Sequence, residues 1–135
     1  MLKSKIHRAV VTDADLNYEG SISIDPNLCE AADLVEFEKV DVYNCNNGNR
    51  FHTYVIWGKP GEVCINGAAA YLASPGDLVI IASYTKVKES KVDTFRPKLV
   101  LVNGNNGIKT IKEPNVRRAR GCLLYTSDAA DDPTC

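Results

Sequence analysis

Apolar residues recur at every second position in short runs along this chain, and glycine, proline and asparagine break the runs apart. A period of two is the strand period, because successive side chains leave opposite faces of an extended backbone. Residues 5–12, K-I-H-R-A-V-V-T, predict a first strand with Ile6, Arg8 and Val10 on one face and His7, Ala9 and Val11 on the other. Residues 13–17 form a polar bend that leads into Y-E-G-S at 18–21, and 21–24 alternate again as a short second strand. Asp25-Pro26 has the chemistry of a helix start, an acceptor at the N-cap and a pre-set φ at the first helical position. The helix predicted from Pro26 to about Ala32 turns Leu28, Cys29 and Ala32 inward.

The pattern continues with a strand over 37–44 that buries Val40 and Val42. Asn47-Gly48 supplies the φ > 0 positions of a tight hairpin, and 50–57 form the returning strand until Gly58, Pro60 and Gly61 break it. A short strand over 62–66 leads into one or two helical turns over 66–72, capped by Asn66. After the turn at Pro75-Gly76-Asp77, 78–84 is the most apolar segment and predicts a central strand. Residues 86–93 are charged and solvated, and 97–102 form the last strand, ended by the run 103–107. About seven short strands and two short helices predict a mainly β barrel or sandwich with inserted helical turns.

The 135 residues suit one domain, which the pattern confines to 1–116. Residues 117–135 do not match what precedes them. Arg117, Arg118 and Arg120 form a basic cluster, open to binding an acidic partner, and 122–135 carry no period. That tail is expected to be disordered or non-native, since C-L-L-Y-T-S-D-A-A-D-D resembles translated sequencing-adapter read-through. A net charge of −1 gives no field that would draw the chain to nucleic acid or an anionic membrane. No run approaches the ~18 apolar residues of a membrane span. The start M-L-K-S-K-I-H-R lacks the apolar core of a signal peptide, so a cytoplasmic location is expected. The five cysteines, Cys29, Cys45, Cys64, Cys122 and Cys135, include no C-x-x-C pair, so reduced thiols are expected, with Cys64 in the core. With only His7 and His52 as histidines and no clustered ligands, no metal site is expected.

Several polar residues suggest chemistry, each with a plainer alternative. Arg50 and Tyr54 are four apart on one strand and share a face about 13 Å long. Arg50 can grip a carboxylate through two parallel bonds and Tyr54 offers a weak acid. The same positions suit a solvated charge and a half-buried aromatic. Thr53 points to the opposite face, so all three can line one site only at a bulge, a strand end or a subunit boundary. Asn66, Gly67, Ala68 and Ala69 offer free backbone N–H groups to an anion, or simply a tight strand-to-helix joint. Lys5 and His7 share a face of the first strand. In Gly20-Ser21 the serine hydroxyl can attack the carbonyl before it, and glycine lets the backbone bend; as a bare dipeptide it is also an ordinary turn.

Taken together, K-I-H-R, T-D-A-D-L-N-Y-E-G-S, the D-x-x-N-x-x-N-G-x-R-F-x-T-Y run over 41–54, I-N-G-A-A-A from Ile65, S-P-G-D-L-V-I-I-A-S-Y from Ser74 and Arg96-Pro97 resemble the pyruvoyl-dependent aspartate 1-decarboxylase family. The likeness covers about residues 1–112. It implies a double-psi β-barrel, a homotetramer with sites between subunits, and decarboxylation of L-aspartate to β-alanine for pantothenate biosynthesis. It further implies a precursor that cuts itself between Gly20 and Ser21 into a β chain, 1–20, and an α chain from 21 onward. The pyruvoyl cofactor then arises from Ser21 and holds substrate as a Schiff base, with no metal and no pyridoxal phosphate. Thr53 matches the threonine that bonds the Gly20 carbonyl during processing and touches substrate. Tyr54 matches the proton donor. Arg50 and Lys5 match the carboxylate grip, and Gly67, Ala68 and Ala69, beside Asn66, match the backbone lining the substrate. His7 and Tyr18 match positions near the cut. Tyr43 departs from a tryptophan common in the family. An accessory maturation factor is a possible partner. The alternative reading is a non-catalytic double-psi barrel that serves as a binding module.

Overall fold

The computed structural model describes residues 1–119. Nine strands make one mixed sheet: β1 (Leu2–Val10), β2 (Asp13–Asp15), β3 (Ser21–Ile24), β4 (Lys39–Asn44), β5 (Arg50–Trp57), β6 (Val63–Asn66), β7 (Leu78–Tyr84), β8 (Lys98–Val102) and β9 (Ile108–Lys112). They lie side by side in the order β2-β6-β3-β5-β4-β7-β1-β8-β9. The same local arrangement occurs twice. β3 runs parallel to β5 and antiparallel to β6; β1 runs parallel to β8 and antiparallel to β7. The strands coil around one core that includes Ile6, Ile22, Val42, Ile65, Ile81 and Val100. This is the mainly β barrel that the period and the resemblance predict.

Helix α1 (Pro26–Ala32) forms where its start signals place it. Asp25 Oδ1 accepts the Asn27 N–H at 2.8 Å, and Asp33 ends the helix in the left-handed region. Leu28, Cys29 and Ala32 face the core as expected. Complete burial of a leucine such as Leu28 contributes about 1.5–3 kcal/mol.

Four local expectations are corrected. First, β1 changes phase. Ile6 is buried, but Arg8 adopts φ 63 and one extra residue of β1 is accommodated between Ile6 and Ala9, which pair with Ile81 and Val79. This bulge turns Ala9 and Val11 into the same core as Ile6, where strict alternation separates them. Second, Phe37 lies outside β4. Its φ of 72 turns the chain, and its ring is 69% exposed. Third, the β4–β5 connection spans 45–49, with Gly48 at φ 77 but not Asn47 in the left-handed region, so it is longer than a two-residue turn. Fourth, residues 13–15 are a strand, paired in parallel with β6, and 108–112 form β9 against β8. The run 103–107 therefore joins two strands. Its Asn106 is buried: Oδ1 accepts the Val10 N–H at 2.7 Å, and Nδ2 donates to the carbonyls of Val10 and Gly61.

The charged segment after β7 holds a short 3₁₀ turn over Glu89–Thr94. Arg118 folds back on it, bonding Glu89 at 2.9 Å and Asp93 at 2.8 Å. Arg118 of the basic cluster thus pairs with its own chain. Arg120 and the tail through Cys135 lie outside the described residues. Among those residues, Cys29, Cys45 and Cys64 are free thiols. No helix among them is long and apolar enough to cross a membrane.

Candidate active site

Ser21 is the first residue of β3, and both flanks of that strand are occupied, so Ser21 is only 1% exposed. A buried hydroxyl needs partners. Ser21 Oγ donates to the Glu19 carbonyl at 3.2 Å and accepts from Asn66 Nδ2 at 3.0 Å. Asn66 lies directly opposite in the antiparallel register of β3 and β6. Its second N–H reaches Ser23 Oγ at 3.0 Å, and its Oδ1 accepts the Cys64 thiol at 3.2 Å. Asn66 was expected to cap the following helical turns. It stands at the N-cap of the 3₁₀ helix Gly67–Tyr71, but its side chain makes no capping bond. Two serines across the sheet compete for the amide and take it. Burial pushes the Cys64 thiol up to about 11, with Asp13, Glu62 and Asp15 adding to the shift, so it stays protonated and able to donate near neutrality.

Gly67 presses against the bond before Ser21. It sits at φ +73, and a Cβ there would lie 2.7 Å from Gly20 Cα, 2.8 Å from Gly20 N and 3.1 Å from the Tyr18 carbonyl. Both the dihedral and the space demand glycine. Gly67→Ala should cost about 1–3 kcal/mol of stability, read as a lowered urea midpoint. A midpoint equal to that of the parent protein would contradict this packing. Ala68 beside it is exposed and Ala69 is half-buried against the core.

β5 supplies the other side chains. Val55 is buried and pairs with Ile22 of β3. The pairing of β3 with β5 begins at Ile22 and Val55, so Gly20 and Ser21 on one strand and Thr53 and Tyr54 on the other both lie just before it. Thr53 and Tyr54 still leave opposite faces of β5. The Tyr54 ring stands 6.1 Å from that of Phe37.

Arg50 and Tyr54 share the outer face, as predicted. Arg50 pairs across the sheet with Tyr43, and its guanidinium lies 4.6 Å from the centre of that ring. Tyr43 in turn shares a hydrogen bond of 2.9 Å with the Tyr84 hydroxyl. That bond, aided by burial, pushes the Tyr43 phenol up to about 12. Arg50 forms none of the ion pairs among the described residues, so its fork is available to an incoming carboxylate. The structure does not bring Lys5 to Arg50 within one chain. β4 and β7 lie between their strands, a separation of about 14 Å at ~4.8 Å per strand. His7 lines a different groove, of about 350 Å³, with Arg8, Leu101 and Lys109. Its Nδ1 is buried without a hydrogen-bond partner among the described residues, and burial, then Lys5 and Arg8, hold its pKa below the ordinary histidine value. Among the described residues no group of three or more His, Cys, Asp or Glu side chains is placed to hold a metal ion.

Sequence reasoning missed two arrangements. The Arg50–Tyr43–Tyr84 stack was not legible, because the expected two-residue turn sets Cys45 opposite Arg50, whereas the longer connection pairs Tyr43 with Arg50 and Tyr84 comes from a further strand. Nor were the bonds from Asn66 to Ser21 and Ser23, because they depend on the register between two strands that are distant in sequence.

The family profile described as aspartate decarboxylase matches residues 1–109. A protein of Hydrogenobaculum sp. named aspartate 1-decarboxylase is 62% identical over 112 residues, which cover 83% of this chain and 90% of that protein. Proteins with the same name from Syntrophus aciditrophicus and Ralstonia pickettii are 60% identical over 111 residues and 54% identical over 115 residues, covering 81% and 84% of this chain and 96% of each relative. The matched span takes in every strand that carries a site residue. On this evidence the chain belongs to the aspartate decarboxylase family.

Proposed function

We propose that this chain is made as a precursor, cuts itself between Gly20 and Ser21, and then decarboxylates L-aspartate to β-alanine and CO2, the β-alanine serving pantothenate biosynthesis. One observation carries the reading: a buried Ser21 hydroxyl anchored by Asn66, on a bond packed by Gly67.

In processing, Ser21 Oγ bonds to the Gly20 carbonyl carbon while the C–N bond breaks, and the hydroxyl proton passes to the freed nitrogen. Thr53 is the donor for the carbonyl oxygen as it gains charge, a contribution typically worth ~10²–10³ in rate. The ester then eliminates: the Ser21 α-proton leaves, Gly20 departs as a carboxylate, and residue 21 becomes dehydroalanine. Addition of one water and loss of one ammonia convert it to a pyruvoyl group.

The pieces fit such a group at position 21: the site is walled by Gly67, which tolerates no side chain, and holds polar donors where oxygen atoms need them. A pyruvoyl ketone supplies the electron sink for decarboxylation, without metal or pyridoxal phosphate. The chain's own residues do the rest. Arg50, held against Tyr43, grips the carboxylate that aspartate retains. The N–H groups around Gly67, Ala68 and Ala69 line the substrate. Tyr54 returns a proton to the carbon that lost CO2.

Lys5 belongs to this machinery only if a second copy completes the site, because two strands separate it from Arg50. Phe37, Tyr71 and Tyr84 are more than half exposed, and such an aromatic surface suits a homotetramer. A non-catalytic barrel remains the competing reading, with an accessory maturation factor an added partner of the first. Intact mass measurement separates them. The purified protein should give two fragments, 1–20 ending in a carboxylate and 21 onward beginning in pyruvoyl. A chain that stays whole after prolonged warm incubation would count against self-processing.

A further inference from the structure

We propose that Cys64 and Ser23 are positioning residues for self-processing: Cys64 sets which way the Asn66 carboxamide faces and Ser23 anchors one of its N–H groups, so that the other holds Ser21 Oγ against the Gly20 carbonyl. The proposal rests on the self-processing reading above.

A carboxamide can rotate by a half-turn and exchange its oxygen with its nitrogen at little intrinsic cost, so its neighbours decide which atom faces which group. Here the neighbours are unequal. Ser21 and Ser23 have hydroxyls that can donate or accept, and either orientation of Asn66 satisfies them. The Cys64 thiol is different. It is a weak donor and a weak acceptor, it sits 3.2 Å from Asn66 Oδ1, and it is 7% exposed. Flipping the amide would replace its good carbonyl acceptor with an N–H that the sulfur accepts only weakly, and leave the buried S–H without that acceptor. The thiol therefore selects the state in which Nδ2 faces the serines. Ser23 takes one N–H of Nδ2 and leaves the other for Ser21, both at 3.0 Å.

The orientation matters for the nucleophile. With Nδ2 donating, Ser21 Oγ is obliged to accept at that side, and its own proton goes to the Glu19 carbonyl. One lone pair is left for the Gly20 carbon, and the N–H stabilises the oxygen as its proton departs. With Oδ1 facing it, Oγ would spend its proton on the amide and could turn away from the Glu19 carbonyl. The four side chains Ser21, Ser23, Cys64 and Asn66 are all at most 9% exposed. Water is thus poorly placed to replace a lost bond.

The test follows the cut at Gly20–Ser21 by mass spectrometry in freshly made full-length precursor, for wild type, Cys64→Ser, Cys64→Ala and Cys64→Val, with thermal midpoints measured alongside. Serine keeps a donor in a smaller side chain, and valine keeps the volume without the donor. Cys64→Ser should cut within about twofold of wild type, and alanine and valine about 5- to 10-fold more slowly, the factor that one ordinary hydrogen bond supports. Ser23→Ala, which leaves Cys64 untouched, should also slow cutting several-fold, about the same order, and it keeps the test open if a Cys64 variant fails to fold. Wild-type rates in the alanine and valine variants and in Ser23→Ala overturn the proposal. So does equal slowing of all Cys64 variants in step with their midpoints, which marks packing alone. A wild-type precursor that never cuts has a different signature: it removes the self-processing reading itself, and this proposal with it.

Discussion

Ser21→Ala should leave the chain at its full length and abolish β-alanine formation in the same preparation. Alanine has no atom that can attack the Gly20 carbonyl, so the shift from nitrogen to oxygen has no first step. No other hydroxyl can substitute: Ser23 lies two residues on, and its Oγ is committed to Asn66. In the proposed route the loss of the cut and the loss of turnover are one event, because the cofactor is the product of the cut. Misfolding is a weak rival explanation. The variant strands one N–H of a buried Asn66, worth about 1–3 kcal/mol, while Ser23 and Cys64 keep their bonds to the amide. Intact mass, a thermal midpoint and a β-alanine assay on one sample check all three statements. A Ser21→Ala protein that still makes β-alanine would overturn the assignment of the cofactor to residue 21.

How much of this was readable beforehand depended on whether local or distant contacts set each feature. Helix α1 was legible because Asp25, Pro26 and the apolar spacing are local and agree. Strands β3, β5, β7 and β8 were legible because each carries a clear period. β2 was not, since Asp-Ala-Asp has the composition of a bend and is held only by parallel pairing to β6. β9 failed for the opposite reason. All five of its residues are exposed, so burial imposes no pattern on them. The phase change in β1 had no sequence signal at all, because the left-handed residue is an arginine rather than a glycine or asparagine.

The site divided in the same way. The Gly20–Ser21 junction, the shared face of Arg50 and Tyr54, and the glycine at 67 could each be named from residue type and spacing. Thr53 and Tyr54 still leave opposite faces of β5, and both stand just before its parallel pairing with β3 begins at Ile22 and Val55. Asn66 shows the limit of local rules. An asparagine before a helical turn is a good cap by propensity, but the fold offered its amide two buried hydroxyls and a thiol. Arg50 gains its support from Tyr43 and Tyr84, residues contributed by two further strands.

Tyr54→Phe should separate the two reactions that Ser21→Ala removes together. The Tyr54 hydroxyl makes no hydrogen bond among the described residues, and phenylalanine preserves the ring that packs 6.1 Å from Phe37. Stability should therefore change little, and the thermal midpoint reports that directly. In the proposed route self-cutting uses Ser21, Thr53 and the Asn66 amide, none of which the substitution touches, so the two fragments should appear at the wild-type rate. Turnover should fall by about 10²–10⁴, the usual contribution of a positioned acid. The loss should lie in kcat rather than KM, since Arg50 still holds the substrate's carboxylate and proton return follows binding. β-Alanine production by the fully processed variant, quantified by amino-acid analysis over a range of aspartate concentrations, checks the split. Turnover equal to wild type would take the proton-donor role away from Tyr54. A protein that fails to cut would place its hydroxyl in processing instead.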